Sequence, residues 1–141
     1  MTVKVLFINQ FFWPDVSATA QLLTDLASDL TRENVSVTVV TGRRAYGDTR
    51  ELGPSREVHC GVQILRVGGG TLHRVGVWSR YRSYLSFWVT ASLRCLMLSS
   101  HDVVVPLTTP PLLSCLASTL KWVKGSRMIC WCMDVYPDLG V

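Results

Sequence analysis

The sequence has 141 residues, of which 48% are hydrophobic, and its formal net charge is +4. This length is typical of one domain, and the apolar content is ample for a packed core, so we expect one globular domain. We expect no secretory signal, because Lys4 and the following strand pattern lead into a helix without a small-residue cleavage site. We therefore expect a cytoplasmic protein.

The first thirty residues predict a strand, an aromatic loop and a helix in immediate succession. Residues 3–8 form an apolar run interrupted only by Lys4, which is typical of a parallel strand buried on both faces. Apolar residues then recur at three- and four-residue steps, which predicts an amphipathic helix that ends near Asn34. These residues are Leu22, Leu23, Leu26, Ala27 and Leu30.

The middle of the chain predicts two further strands. Residues 35–41 are rich in β-branched side chains, and Gly42 ends this second strand. Residues 57–59 and 62–67 flank Cys60 and Gly61, which predicts a short hairpin that leads into the third strand at residues 62–67. Gly68 to Gly70 could cradle a phosphate, but without a P-loop lysine or dinucleotide-binding spacing a flexible connection is favoured.

The last third continues the alternation of helix and strand. Residues 84–98 predict a crossover helix that is too short for a membrane span and contains Arg94. Residues 102–105 predict a fourth strand, and residues 108–111 begin another helix with proline in its first turn. Gly125 ends that helix, and residues 127–133 predict a fifth strand. The apolar stripe expected for this helix is Leu112, Leu113, Leu116, Ala117, Leu120 and Val123.

Strand and helix thus alternate along the whole sequence. Right-handed crossovers between such strands give a parallel sheet with helices on both faces, so the predicted fold is α/β and Rossmann-like. No G-x-G-x-x-G motif follows the first strand, which excludes the usual nicotinamide or flavin site and with it a dehydrogenase.

The five cysteines favour thiols over disulfides. They are an odd number spread over apolar segments, so we expect buried thiols in a reducing compartment. Cys130 and Cys132 should share one face of a strand. A metal site would need further ligands beside them, so ordinary packing is favoured and no metal is expected.

Positive charge is concentrated between residues 43 and 82, where eight arginines face three acidic residues. Two interpretations remain open: a solvated surface, or attraction to phosphates or anionic lipid headgroups. The segment has no signature of nucleic-acid recognition. Basic and aromatic residues at the entrance of the helix at residues 84–98 also suit an interfacial contact with a membrane. They are Arg74, Trp78, Arg80, Tyr81, Arg82 and Tyr84.

Three loops should meet at the carboxyl edge of the predicted sheet, where open α/β sheets bind ligands. They are residues 9–17, 107–111 and 134–138. They offer hydroxyl, amide and carboxylate groups for hydrogen bonds to a ligand, and the rings of Trp13 and Tyr136 for stacking. For Asp15 the alternative is a helix cap, and for Trp13 a place in the core. The candidate binding residues are Asn9, Gln10, Trp13, Asp15, Ser17, Thr108, Thr109, Asp134, Tyr136 and Asp138.

Four pieces of the sequence, in this order, carry a family resemblance: VLFINQFFWPD at residues 5–15, VTVVT at 37–41, TTPP at 108–111 and DVYPD at 134–138. Together they resemble the amino-terminal domain of glycosyltransferase family 4, which has the two-domain GT-B fold, and in particular bacterial enzymes of capsule, O-antigen and exopolysaccharide assembly. The likeness extends over essentially the whole chain.

The resemblance implies transfer of a sugar from a nucleotide-sugar donor to an acceptor, often lipid-linked, without a metal or other cofactor at the reacting centre. It implies that this half meets the acceptor and that the nucleotide-sugar site lies in a carboxyl-terminal domain. The sequence departs from the family where Ser17 to Ala20 replace paired glycines and where Met133 replaces a histidine. The predicted elements end with the fifth strand and do not include a nucleotide-sugar-binding domain, so we expect an incomplete unit that is inactive alone. Two alternatives are a non-catalytic subunit that binds a partner chain, and a truncated fragment.

Overall fold

A computed structural model of the chain describes residues 1–46, 50–68 and 76–133. Within these ranges the chain folds into one mixed sheet with helices on both faces. The strands are β1 (Lys4–Ile8), β2 (Ser36–Gly42), β3 (Arg56–His59), β4 (Val62–Val67), β5 (Val103–Pro106) and β6 (Arg127–Met128). The helices are α1 (Ala18–Arg32), α2 (Val77–Met97) and α3 (Leu113–Lys124).

The strand order in this sheet is β3-β4-β2-β1-β5-β6. Strands β4, β2, β1, β5 and β6 run parallel, and β3 pairs antiparallel with β4 at one edge. The predicted α/β fold, its five parallel strands and the hairpin at Cys60 and Gly61 are therefore confirmed. The run of β-branched residues in β2 fits this position, because β2 is paired on both sides and buried beyond its first residue.

Two apolar layers hold the helices to the sheet. On one face, α1 contributes Leu23 and Ala27 to a cluster with Phe7, Val39 and Ile64. On the other face, α2 and α3 pack over a second cluster. It includes Leu6, Ile8, Val40, Phe87, Ala91, Leu116 and Leu120. Successive residues of a strand point to opposite faces of the sheet, so the residues of β1 pack alternately into the two clusters.

The ends of two helices follow the sequence signals. Asn34, just beyond α1, has φ 60°, and Gly125, just beyond α3, has φ 70°. Both lie in the left-handed conformation that closes helices, as the sequence predicted. Elsewhere the boundaries differ. Helix α2 begins at Val77, so the basic and aromatic residues expected at its entrance lie within its first two turns, apart from Arg74, which is outside the described residues.

The start of α3 is a second correction. The prolines at 110 and 111 precede the helix instead of filling its first turn, because Leu112 takes a left-handed φ of 69° and helical backbone begins only at Leu113. Leu112, which lies outside the helix, is consequently exposed, and Val123 in the last turn of α3 is exposed as well. In α1, Leu22 and Leu26 are likewise exposed, since Leu23 and Ala27 occupy the centre of its contact with the sheet.

The fifth predicted strand is shorter than residues 127–133. Regular pairing ends at Met128, although the amides of Ile129 and Trp131 still donate to the carbonyls of Val104 and Pro106 at 3.0 and 3.1 Å. The segment therefore stays alongside β5 without forming a continuous strand.

The expectation of buried thiols is wrong for four of the five cysteines. Cys60, Cys115, Cys130 and Cys132 are exposed, and only Cys95, in α2, is buried. Burial raises the pKa of the Cys95 thiol to about 12. Cys130 and Cys132 do share one face, with their sulfur atoms 3.7 Å apart. Both lie on the segment beyond β6, the edge strand of the sheet, and their side chains are exposed.

Among the helices of the described ranges, none has the length and hydropathy that crossing a bilayer requires.

Candidate functional site

The loops that follow β1, β2 and β5 meet at the carboxyl edge of the sheet, and Gln10 joins them. Its amide donates to the carbonyl of Thr109 at 3.0 Å, and its own carbonyl accepts from the Gly42 amide at 2.9 Å and from the Thr41 hydroxyl at 3.2 Å. Its side-chain amide donates to the Ser83 hydroxyl in α2 at 3.3 Å. Gln10 thus connects the loops after β1, β2 and β5 with one another and with helix α2.

Asn9 and Gln10 are buried polar residues directly after β1, at 0% and 7% exposure. The Asn9 side-chain amide donates to the Phe11 carbonyl at 2.7 Å, which holds the loop in a tight turn. Their side-chain oxygens, Asn9 Oδ1 and Gln10 Oε1, have no hydrogen-bond partner in the described part of the chain. Buried acceptors of this kind are costly unless a donor reaches them.

More unpartnered polar atoms lie at the same edge. The Ser17 hydroxyl stands at the amino end of α1 without capping it, and the Thr108 hydroxyl follows β5. The Nε atoms of Arg43 and Arg44, just beyond β2, are buried and also without a partner among the described residues. This set, called the edge cluster below, consists of Asn9, Gln10, Ser17, Arg43, Arg44 and Thr108. It offers acceptors, donors and hydroxyls together at the carboxyl ends of three neighbouring strands.

Asp15 is buried, and both of its carboxylate oxygens bind backbone amides. Oδ1 accepts from Ser17 N at 2.9 Å, and Oδ2 accepts from Tyr46 N at 2.7 Å. The first contact is a side-chain turn that fixes the entry to α1, and the second joins the loop after β2 to the loop after β1. Asp15 therefore shapes this edge through its backbone contacts.

Trp13 is held from the hairpin side of the sheet. Its ring stacks on His59 with a centroid distance of 3.8 Å and an interplanar angle of 11°, and its carbonyl accepts from Arg66 Nη2 at 3.0 Å. The side chain also packs against the cluster under α1. One face of the ring is thus occupied by His59, which fits the core role considered for this residue.

Arg66 is the buried charge behind Trp13, with 2% exposure. Its Nη1 pairs with Glu57 Oε2 at 2.5 Å and donates to the Pro54 carbonyl at 3.2 Å. Arg66, on β4, thereby anchors the loop after β1 through its hydrogen bond to the Trp13 carbonyl.

The structure brings together seven of the candidate residues at this edge: Asn9, Gln10, Trp13, Asp15, Ser17, Thr108 and Thr109. Asp134, Tyr136 and Asp138 lie outside the described residues. Sequence reasoning did not assign Arg43, Arg44, Ser83 or Arg66 to the site. For the first two a signal existed, since they directly follow a strand whose carboxyl end lies at this edge. Within residues 1–46, 50–68 and 76–133, no three metal-binding side chains gather.

No family model matches this chain, and no curated protein matches it in sequence. Among solved structures, the chain is similar to a sucrose-phosphate synthase from Thermosynechococcus elongatus, with a TM-score of 0.54 and 10% identity. The match covers 92% of this chain and 32% of that protein, so the chain spans about a third of its length. That protein is a glycosyltransferase of the GT-B fold. At this identity the likeness shows the fold alone: the chain has a glycosyltransferase-like α/β architecture.

Proposed function

We propose that this chain forms the acceptor side of a glycosyltransferase that moves a sugar from a nucleotide-sugar donor to a saccharide acceptor. The observation that carries the proposal is the edge cluster. It combines unpartnered acceptor oxygens on Asn9 and Gln10 with unpartnered donors on Arg43 and Arg44. A sugar hydroxyl both donates and accepts, so a polyhydroxyl ligand can satisfy both kinds of atom.

A phosphodiester or diphosphate group alone fits this cluster less well. Its ionised oxygens carry no proton and accept hydrogen bonds, so they would serve the two arginines and the hydroxyls of Ser17 and Thr108 but leave the Asn9 and Gln10 oxygens without donors. The combination of unpartnered donors and unpartnered acceptors in the edge cluster favours a saccharide ligand over a simple anion. An acceptor that carries both a sugar and a phosphate, such as a lipid-linked saccharide, would use the whole set.

The finer assignment rests on the sequence resemblance to glycosyltransferase family 4 and the structural likeness to a GT-B enzyme. We propose that the reaction belongs to bacterial surface polysaccharide synthesis, that the acceptor is lipid-linked, and that the chain works on the cytoplasmic side of the plasma membrane. Donor binding is assigned to a nucleotide-binding half, supplied as a further domain or as a partner chain. Holding donor and acceptor in one closed site can lower the barrier by roughly 7–11 kcal/mol, so neither half should suffice alone.

The test measures sugar transfer from a panel of nucleotide sugars to lipid-linked acceptors, with the chain alone and with a candidate nucleotide-binding half. We expect transfer only with both halves present. Robust transfer by the chain alone would overturn the assignment of donor chemistry to the other half. Acceptor binding without transfer in any combination would instead favour a non-catalytic binding subunit.

Two variants link the activity to the edge cluster. Thr108→Val and Ser17→Ala each remove a hydroxyl that has no partner in the described structure, so the fold should lose little stability. Each should lower transfer about 5- to 10-fold by removing one hydrogen bond to the acceptor. Thr119→Val is the matched control, because Thr119 is exposed on α3 and its hydroxyl donates to the Cys115 carbonyl of the same helix at 3.0 Å. Equal activity in all three variants would remove the edge cluster from the acceptor site.

A further inference from the structure

Helix α2 has apolar side chains on its outward face as well as on the face that it buries. The inward face consists of Phe87, Ala91 and Cys95, which pack against the sheet. The outward apolar residues recur at steps of three and four, so they form one line along the helix. This line, called the α2 stripe, comprises Trp78, Tyr81, Leu85, Val89, Leu93 and Leu96, with exposures of 82, 63, 64, 45, 58 and 43%.

Such a line differs from the scattered apolar residues of an ordinary surface. Helix α2 has 21 residues, so the stripe runs for about 30 Å along its axis. A continuous apolar strip of this length marks an interaction surface. By contrast, the outward face of α1 has Asp25 and Asp29 among its exposed leucines, as expected for a helix in contact with water.

The charged residues of α2 are all basic, which indicates that its partner surface is anionic. The helix contains no aspartate or glutamate, and its charged residues are Arg80, Arg82 and Arg94. Arg82 is exposed and lies four residues after Trp78 and three before Leu85, so it projects from the stripe itself. An apolar line with arginine and tryptophan in its first turns complements an anionic membrane surface.

We propose that the α2 stripe lies in the interface of an anionic lipid bilayer, with the helix axis in the membrane plane. Leucine and valine side chains enter the acyl boundary. Trp78, Tyr81 and Arg82 meet the headgroups at the amino end of the helix.

The amino end of α2 is also the end closest to the edge cluster, because the Ser83 hydroxyl accepts from the Gln10 side-chain amide at 3.3 Å. A membrane-bound α2 would therefore hold the edge cluster near the headgroup layer. This last step rests on the proposed function, since it is there that a lipid-linked acceptor presents its saccharide. The membrane contact itself does not depend on that function.

Vesicle co-sedimentation tests the proposal with the full chain. Vesicles of equal parts phosphatidylglycerol and phosphatidylcholine are compared with vesicles of phosphatidylcholine alone, at about 50 mM and about 500 mM NaCl, since salt screens surface charge. We expect binding to the anionic vesicles at low salt and a marked loss at high salt. Arg82→Gln should weaken this binding about fivefold, the value typical of one basic residue near an anionic surface.

The apolar part is tested by the double variant Leu85→Ser and Leu93→Ser. Both residues are exposed, so thermal unfolding should change little while vesicle binding falls on the order of tenfold or more. The matched control is Leu22→Ser with Leu26→Ser, two exposed leucines one turn apart on α1, across the sheet from α2. Arg56→Gln, at an exposed position of β3, is the control for the lost charge. Both controls should bind like the unchanged chain.

Equal weak binding to both kinds of vesicle, or equal losses in the α1 and α2 variants, would overturn the proposal. So would a dimer in solution that dissociates in Leu85→Ser/Leu93→Ser without any vesicle binding, since the stripe would then be a protein interface. The chain could instead fail to bind vesicles and still, together with its nucleotide-binding half, glycosylate a detergent-solubilised acceptor. That result would refute the membrane contact and leave the proposed function standing.

Discussion

The amide of Gly42 donates to the carbonyl oxygen of Gln10 at 2.9 Å, and a Cβ atom at position 42 would lie 2.7 Å from that same oxygen. Both partners are backbone atoms at the junction of three loops, so neither can move aside cheaply. The close approach of β2 to the loop after β1 therefore requires glycine at position 42.

The first prediction is that Gly42→Ala destabilises the chain by about 1–3 kcal/mol through this backbone clash. Urea unfolding followed by circular dichroism measures the free energy of unfolding. Ser36→Ala, at the exposed opposite end of β2, is the control and should stay within about 0.5 kcal/mol of the unchanged chain. Equal effects at the two positions would mean that the contact with Gln10 does not constrain the fold.

The second prediction concerns Arg66, whose guanidinium joins Glu57, the Pro54 carbonyl and the Trp13 carbonyl. Arg66→Met leaves these acceptors without their donor. Because the Glu57 side chain is 27% exposed and partly solvated, the loss should fall near the lower end of about 3–5 kcal/mol. The near-ultraviolet signal of Trp13 should change as well, since its loop loses this anchor.

Arg56→Met is the matched control for Arg66, because Arg56 is exposed on the neighbouring strand. Arg66→Lys should not restore stability, since one ammonium cannot reproduce the planar set of donors that serves three acceptors. Full rescue by lysine would show that the charge alone matters and not the geometry.

Local patterns predicted the sheet well. The apolar run before Asn9 and the β-branched run that ends at Gly42 each carry their own strand signal, and left-handed Asn34 and Gly125 end their helices where the sequence places them. These features depend on residues a few positions apart. The parallel arrangement then follows from the alternation of strand and helix.

The features that the sequence did not reveal depend on distant contacts. The carbonyl of Trp13 bonds a residue 53 positions away, and no periodicity encodes such a pair. The late start of α3 follows from one left-handed residue, Leu112, a conformation that leucine rarely adopts and no pattern predicts. Cys130 and Cys132 have apolar sequence neighbours, which predicted burial. They are exposed because apolar neighbours in the sequence do not determine which face of a segment is covered.

The third prediction concerns the carboxyl end of α2. The Lys124 ammonium, at the end of α3, donates to the carbonyl of Cys95 at 2.7 Å and to that of Leu98. Lys124→Met keeps the aliphatic stem but leaves these terminal carbonyls unpaired, so the free energy of unfolding should fall by about 1–3 kcal/mol. Lys121→Met, one turn earlier and exposed, should change it by less than about 0.5 kcal/mol. A similar loss in both variants would point to net charge instead of the carbonyl contacts.

The fourth prediction concerns His101, which lies at the opposite edge of the sheet from the edge cluster. Burial lowers the pKa of His101 from its usual 6.5, opposed by a backbone hydrogen bond with Ser99, and the charges of Lys124 and Lys4 lower it further. The folded chain therefore binds this proton less readily than the unfolded chain. Stability from neutral His101 is fully present above pH 6.5 and is lost as the pH falls from 6.5 toward the lower pKa of the folded state.

The measurement is the free energy of unfolding of the unchanged chain and of His101→Gln, taken across the acidic and neutral range. Their difference should be constant above neutrality and should change below pH 6.5, with the unchanged chain losing stability faster than the variant. The plateau at higher pH serves as the internal control, because packing lost with the imidazole, including its 3.3 Å contact with the Thr38 hydroxyl, shifts the two curves by a fixed amount. Parallel curves at all pH values would show that His101 titrates alike in the folded and unfolded chains.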